Sequence, residues 1–144
     1  VIRVNQLQEC EKEGLNSIDL CITLQPEMVR VVRLTVSGIA STIGLPIDDI
    51  EDIKVAVSEI CNRIITKGHS INQRCIIRFI VSAEELKVVF KFEKYRPEGF
   101  KLFDDDDVFG PAIVHSIMDH VNLDNTNDEK DIICFSMHLK ERLL

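Results

Sequence analysis

Apolar and polar positions recur along the chain with two different periods, and each period predicts an element. In "SIDLCITL", Ile18, Leu20, Ile22 and Leu24 occupy every second position, which predicts a half-buried strand. After Pro26, a residue suited to a first helical turn, Met28, Val29, Val31, Val32, Leu34, Val36, Ile39, Ala40 and Ile43 follow over about five turns, and Gly44 and Pro46 end that helix. A second helix opens at "PIDDIED". There Asp48, Asp49, Glu51 and Asp52 set negative charge against the positive end of the helix macrodipole, and the helix runs to Lys67 before Gly68. At about 100° per residue, Ile50, Ile53, Val57, Ile60 and Ile64 share one arc of about 80°, so this arc faces a sheet. "RCIIRFIVS" and "LKVVFKFEK" are rich in β-branched and aromatic residues and form a hairpin through "SAEE". Residues 94–107 lack a period and form a long loop. A short helix over 111–120, a strand over 121–124, a turn at "NTNDEK" and a last strand at "DIICFSMHL" complete the chain. The order predicts an α+β fold: a two-layer α/β sandwich whose mixed, mostly antiparallel sheet is covered on one face by helices.

Size and charge narrow this picture. The 144 residues suit one domain, here 17–144, with 1–16 as a patternless lead-in. A net charge of -7 argues against general affinity for nucleic-acid phosphates or anionic lipid, and a protein partner or small ligand is expected instead. No run approaches the roughly 18 apolar residues of a membrane span. Cys10, Cys21, Cys61, Cys75 and Cys134 are odd in number, sit in apolar runs and lack metal spacing, so they read as reduced core thiols of a cytoplasmic protein.

The side of the second helix away from the apolar arc carries Glu59, Asn62 and Arg63. Glu59 and Arg63 are i, i+4 neighbours in the favourable acidic-first order, so a plain surface ion pair is one reading. His69, His115, His120 and His138 have no zinc-ligand spacing and suit surface or capping positions. The sequence has no P-loop, no Rossmann fingerprint and no GxSxG context for a serine nucleophile.

The stretch "VVRLTVSGIASTIGLPIDDIEDIKVAVSEICNRI" resembles the anti-sigma-factor serine kinases, sporulation and general-stress switch proteins of the Bergerat (GHKL, histidine-kinase-like) ATPase superfamily. "IMDHV" followed by a strand resembles the final helix and strand of that family, and the order of elements matches as well. The similarity covers roughly residues 17–140 and is most specific from Leu34 to Glu59. It implies the Bergerat sandwich, ATP and Mg²⁺ as cofactors, Glu59 as general base or water-orienting group, and a sigma factor and an anti-sigma-factor antagonist as protein partners. It also implies a homodimer, in which the first helix contributes to partner capture.

Three departures bear on activity. The family places an Mg²⁺-binding Asn four residues after the Glu; here that position is Arg63, and the amide comes one place early at Asn62. One residue turns a helical side chain by about 100°, and a guanidinium has no lone pair for a metal. Arg63 then either supplies a fixed positive charge where the ion would sit or pairs with Glu59 and closes the site. The Asp-Gly motif that recognises adenine is replaced by "YRPEGF", where Gly99 can still serve the turn. The GxG that grips phosphate keeps only Gly110, with Pro111 beside it and four aspartates, Asp104 to Asp107, upstream; the acidic run reads as a solvated loop that helps begin a helix, with a cation site as the other reading. The leading expectation is an anti-sigma regulator that captures a partner and has a degenerate ATP site. The alternative is an active ATP-dependent serine kinase that phosphorylates the antagonist. The nucleotide-site candidates are Glu59, Asn62, Arg63, Gly99 and Gly110, with no protein metal ligand assigned.

Overall fold

The computed structural model describes residues 16–68, 71–122 and 131–138, and side chains in 131–136 are not described. The lead-in up to residue 15 and the "NTNDEK" turn lie outside the described residues. Strand β1 (Asn16–Ile22) is followed by helices α1 (Met28–Thr42) and α2 (Ile47–Gly68), and then by strands β2 (Cys75–Val81) and β3 (Glu85–Phe92). Helix α3 (Phe109–Ile117) and strands β4 (His120–Asn122) and β5 (Asp131–His138) follow. The sheet order is β1-β2-β3-β5-β4, with every neighbouring pair antiparallel. Among the described residues no helix is long and apolar enough to cross a membrane.

Period-2 alternation sets the sheet's inner face. Cys75, Ile77 and Phe79 on β2 and Leu86, Val88, Phe90 and Phe92 on β3 are buried. The outer face mixes polar and apolar positions, and directly opposed Asp19 and Arg78 join there in a two-pronged ion pair at 2.7 and 2.8 Å. The predicted arc of α2 is buried throughout, and Ile53, Val57 and Ile60 have no exposed surface at all. Both layers thus share one core, in which each large side chain contributes about 1.5–3 kcal/mol of transfer free energy.

Helix ends follow local chemistry. Gly44 takes φ +84° just past α1, where a side chain would be strained. Helix α3 starts two residues before the expected Pro111, which fits because the first helical turn needs no N–H from Pro. It also ends earlier than expected, where Met118 turns extended. Cys61 and Cys75 are buried free thiols: burial pushes Cys61 up to about 12 and raises Cys75 as well, so neither is a nucleophile. Cys21 departs from the core-thiol expectation and is exposed, because in β1 it points opposite to buried Ile22.

Candidate functional site

Helix α2 is two-sided. Its positions 59, 63 and 67 follow one another at i, i+4 spacing, so Glu59, Arg63 and Lys67 form a row along one side of the helix. The loop between β3 and α3 lies over this row. Its first residues are clamped by buried Gln73, whose Nε2 donates to the Tyr95 carbonyl at 2.8 Å and whose Oε1 accepts from the Lys94 N–H at 3.0 Å. Its far end is tied by Lys67, whose Nζ donates to the Lys101 carbonyl and to Asp104 Oδ1, each at 2.7 Å.

Arg63 is the centre of the cluster. Its Nη1 donates to Glu59 Oε2 at 2.5 Å and to the Glu59 carbonyl at 3.1 Å, and its Nε donates to Asp107 Oδ2 at 3.0 Å. The guanidinium carbon lies 5.1 Å from the centroid of the Phe103 ring, a cation–π distance. On the α3 side it rests against Gly110: a Cβ there would come within 2.3 Å of Nη2, so only glycine admits the guanidinium. Asp107 completes the arrangement, because its Oδ1 accepts the Gly110 N–H at 3.0 Å. One carboxylate therefore bridges the N-terminus of α3 and the Arg63 fork.

The charges respond accordingly. Partial burial acts to lower the Arg63 pKa, but the hydrogen bonds it donates to Glu59 and Asp107 outweigh this and raise the value, keeping the group cationic. The Gly110 N–H, and then Arg63, hold the Asp107 carboxyl below the usual carboxylate range. Lys67 and Lys101 neutralise Asp104 and Asp105, the latter pair at 2.9 Å. The aspartate run is the expected exposed loop at a helix start, with Asp104, Asp105 and Asp106 exposed and Asp107 bonded to the first turn of α3, and it carries ion pairs besides. Lysines and an arginine up to 44 residues away in sequence bind three of its four carboxylates.

Glu59, Arg63 and Gly110 are brought together. Asn62 is exposed, one position round the helix from Arg63. Gly99 lies elsewhere, in an exposed turn closed by the Phe100 N–H to the Pro97 carbonyl at 3.1 Å. Its φ of +74° is what the third residue of a type II turn requires, and Phe100 anchors the turn edge-on against Phe92. Sequence reasoning missed Asp107, Phe103 and Lys67. The spacing of Asp107 three residues before Gly110, a distance at which a carboxylate reaches back to a helix N-terminal N–H, was the available signal for the first.

A guanidinium, a backbone N–H at a helix start and a glycine that allows close approach are donor types that suit a phosphate oxygen, and here the Asp107 carboxylate takes both Arg63 Nε and the Gly110 N–H. A divalent ion held by α2 does not fit, since Arg63 has only N–H donors and both neighbouring carboxylates are engaged with it. Among the described residues no group of three or more His, Cys, Asp or Glu side chains could hold a metal.

Comparison with known proteins bears on this site directly. The family model described as "Histidine kinase-like ATPase domain" matches residues 22–137. Serine-protein kinase RsbW of Bacillus subtilis is 39% identical over 80 residues, covering 54% of this chain and 50% of that protein. Serine-protein kinase RsbW of Bacillus velezensis is 40% identical over 78 residues, covering 53% and 49%. Serine-protein kinase RsbW of Bacillus licheniformis is 30% identical over 113 residues, covering 77% and 69%. The chain spans about half the length of the first two relatives.

These relatives overturn the leading expectation of a capture protein with a degenerate ATP site, since each bears the name of a serine-protein kinase. The physical reason lies in Arg63 and the aspartate run, which look like losses in the sequence. In the fold they combine with Gly110 into one ordered cluster with a cation and a helix-terminal donor. The matched span and the two-layer sandwich agree: the chain belongs to the histidine kinase-like ATPase domain family, among the anti-sigma-factor serine kinases.

Proposed function

We propose that the protein is a cytoplasmic ATP-dependent protein serine kinase whose substrate is a protein antagonist of anti-sigma factors. The observation that carries this reading is the position of Glu59: a carboxylate fixed by Arg63 on the side of α2 that adjoins the glycine-bearing start of α3. In this reading Gly110 lies on the phosphate side, the Gly99 turn on the base side, and Asn62 has no role. A serine Oγ of the substrate attacks the γ-phosphorus, the bond to the β,γ-bridging oxygen breaks, and ADP departs. The hydroxyl proton passes to Glu59. Arg63 fixes one oxygen of that carboxylate and so orients the other, a general-base contribution of about 10²–10⁴-fold.

The same reading gives the protein a sigma factor as a second partner and a second copy of itself. Two surfaces support this. Ile18, Leu34, Gly38, Ile39, Ile43 and Val81 line an apolar groove of about 510 Å³, in which Leu34 is 68% exposed. Beside it a second groove is lined by Arg30, Arg33, Glu27 and Lys54, the last paired with Glu51, and its two arginines suit an acidic protein surface. The test is incubation with Mg·ATP and a candidate antagonist, followed by mass spectrometry. One added phosphoryl group on a serine is expected, and an unmodified antagonist would overturn the reading.

A further inference from the structure

The mismatch between the family's metal position and Arg63 can be read as a replacement. We propose that the Arg63 guanidinium is the resident cation of the nucleotide site, binding phosphate oxygen directly so that nucleotide binds without a divalent ion, and that the Asp107 carboxylate is the internal anion it exchanges for that oxygen. The inference rests on the kinase reading and specifies how its nucleotide is held.

Geometry supports each half. The guanidinium is fixed from three directions, by Glu59 at Nη1, the Phe103 ring at its face and the bare Gly110 backbone at Nη2. A planar fork positioned in this way loses little freedom when it binds a phosphate in two-pronged fashion. It is also charged at every working pH, so the counter-charge is always in place. Asp107 meanwhile makes the contacts a phosphate oxygen would make: one of its oxygens takes the Gly110 N–H at 3.0 Å and the other takes Arg63 Nε at 3.0 Å. Both are donor types that recognise phosphate at helix starts. Releasing Asp107 leaves both donors free, while Lys67 and Lys101 stay paired with the neighbouring Asp104 and Asp105.

Asp107 then lowers apparent affinity as a tethered competitor and keeps the loop seated on α2 until nucleotide arrives. A carboxamide at this position keeps the shape but loses the charge. Asp107→Asn should therefore tighten nucleotide binding, while Arg63→Asn should weaken it and supply an amide oxygen of the kind that accepts a metal ion.

The experiment is calorimetric titration of the full chain with ATP, once in excess EDTA and once in excess Mg²⁺. The expected dissociation constants agree to within about threefold, a difference smaller than one charge-assisted hydrogen bond makes. In EDTA, Arg63→Asn should bind about ten- to a hundredfold more weakly, with Mg²⁺ restoring part of the loss, and Asp107→Asn should bind more tightly than the parent. The comparison of the two media needs no variant, so a poorly folded substitution leaves the proposal testable. Binding of the parent only with Mg²⁺ overturns this inference and leaves the kinase reading standing. Absence of saturable binding in both media overturns both.

Discussion

The two sides of α2 use the same helix for different ends. Toward the sheet, Ile50, Ile53, Val57, Ile60 and Ile64 are buried, and their contribution is additive and non-directional. Away from it, Glu59, Arg63 and Lys67 meet the loop and α3 through directed bonds, each requiring a partner at a particular place. The first side makes the domain stable. The second holds a carboxylate, a cation and a helix start in one place, at some cost in partially buried charge. Substitutions on the two sides should therefore separate stability from function.

The largest effect falls on the charged side. Glu59→Gln keeps the size and much of the bonding but removes the base, and phosphoryl transfer to an antagonist should fall about 10²–10⁴-fold with nucleotide binding retained. Equal rates for the two proteins would remove Glu59 from the chemistry. On the sheet side, Phe79 is wholly buried, so Phe79→Ala should cost about 3–5 kcal/mol in urea unfolding, and a loss under 1 kcal/mol would show that this core is not shared between the layers. Gly110→Ala tests the joint between α2 and α3. Its Cβ would stand 2.3 Å from Arg63 Nη2, so the guanidinium must leave Asp107, at about 1–3 kcal/mol in stability and with weaker nucleotide binding.

The smallest effect is a matter of pH. Because Gly110 and Arg63 depress the Asp107 pKa, the contribution of this carboxylate is fully present above the ordinary Asp value of about 3.9 and is lost only as pH falls through the lower folded value. An NMR titration that follows the Gly110 amide should give a midpoint below about 3.9, absent in Asp107→Asn. A midpoint at or above that value would contradict the bridge.

The same contrast explains what the sequence could show. Periods of 2 and 3.6 report burial on one face, so β1, α1, α2 and the β2–β3 hairpin were legible, as was the i, i+4 pair of Glu59 and Arg63. The partners of Arg63 were not legible. Asp107 lies 44 positions away, Phe103 sits in a stretch without period, and the need for glycine at 110 arises only when α3 is packed on α2. Arg63 read alone could have been a plug or a substitute cation, and its pairing with both Glu59 and Asp107 appears only in the fold. The aspartate run was legible as an exposed loop at a helix start, whereas the pairing of Asp104 with Lys67, 37 positions away, was not.

The central claim, that the charged side of α2 is a nucleotide site and not a structural ion-pair cluster, is tested most directly by one titration series. Saturable ATP binding would be measured for the parent, for Arg63→Asn, and for Arg78→Ala, which removes an ion pair on the outer face of the sheet. The account predicts binding by the parent, unchanged affinity in Arg78→Ala and a clear loss in Arg63→Asn. No saturable binding by the parent, or equal affinity in all three, would contradict it.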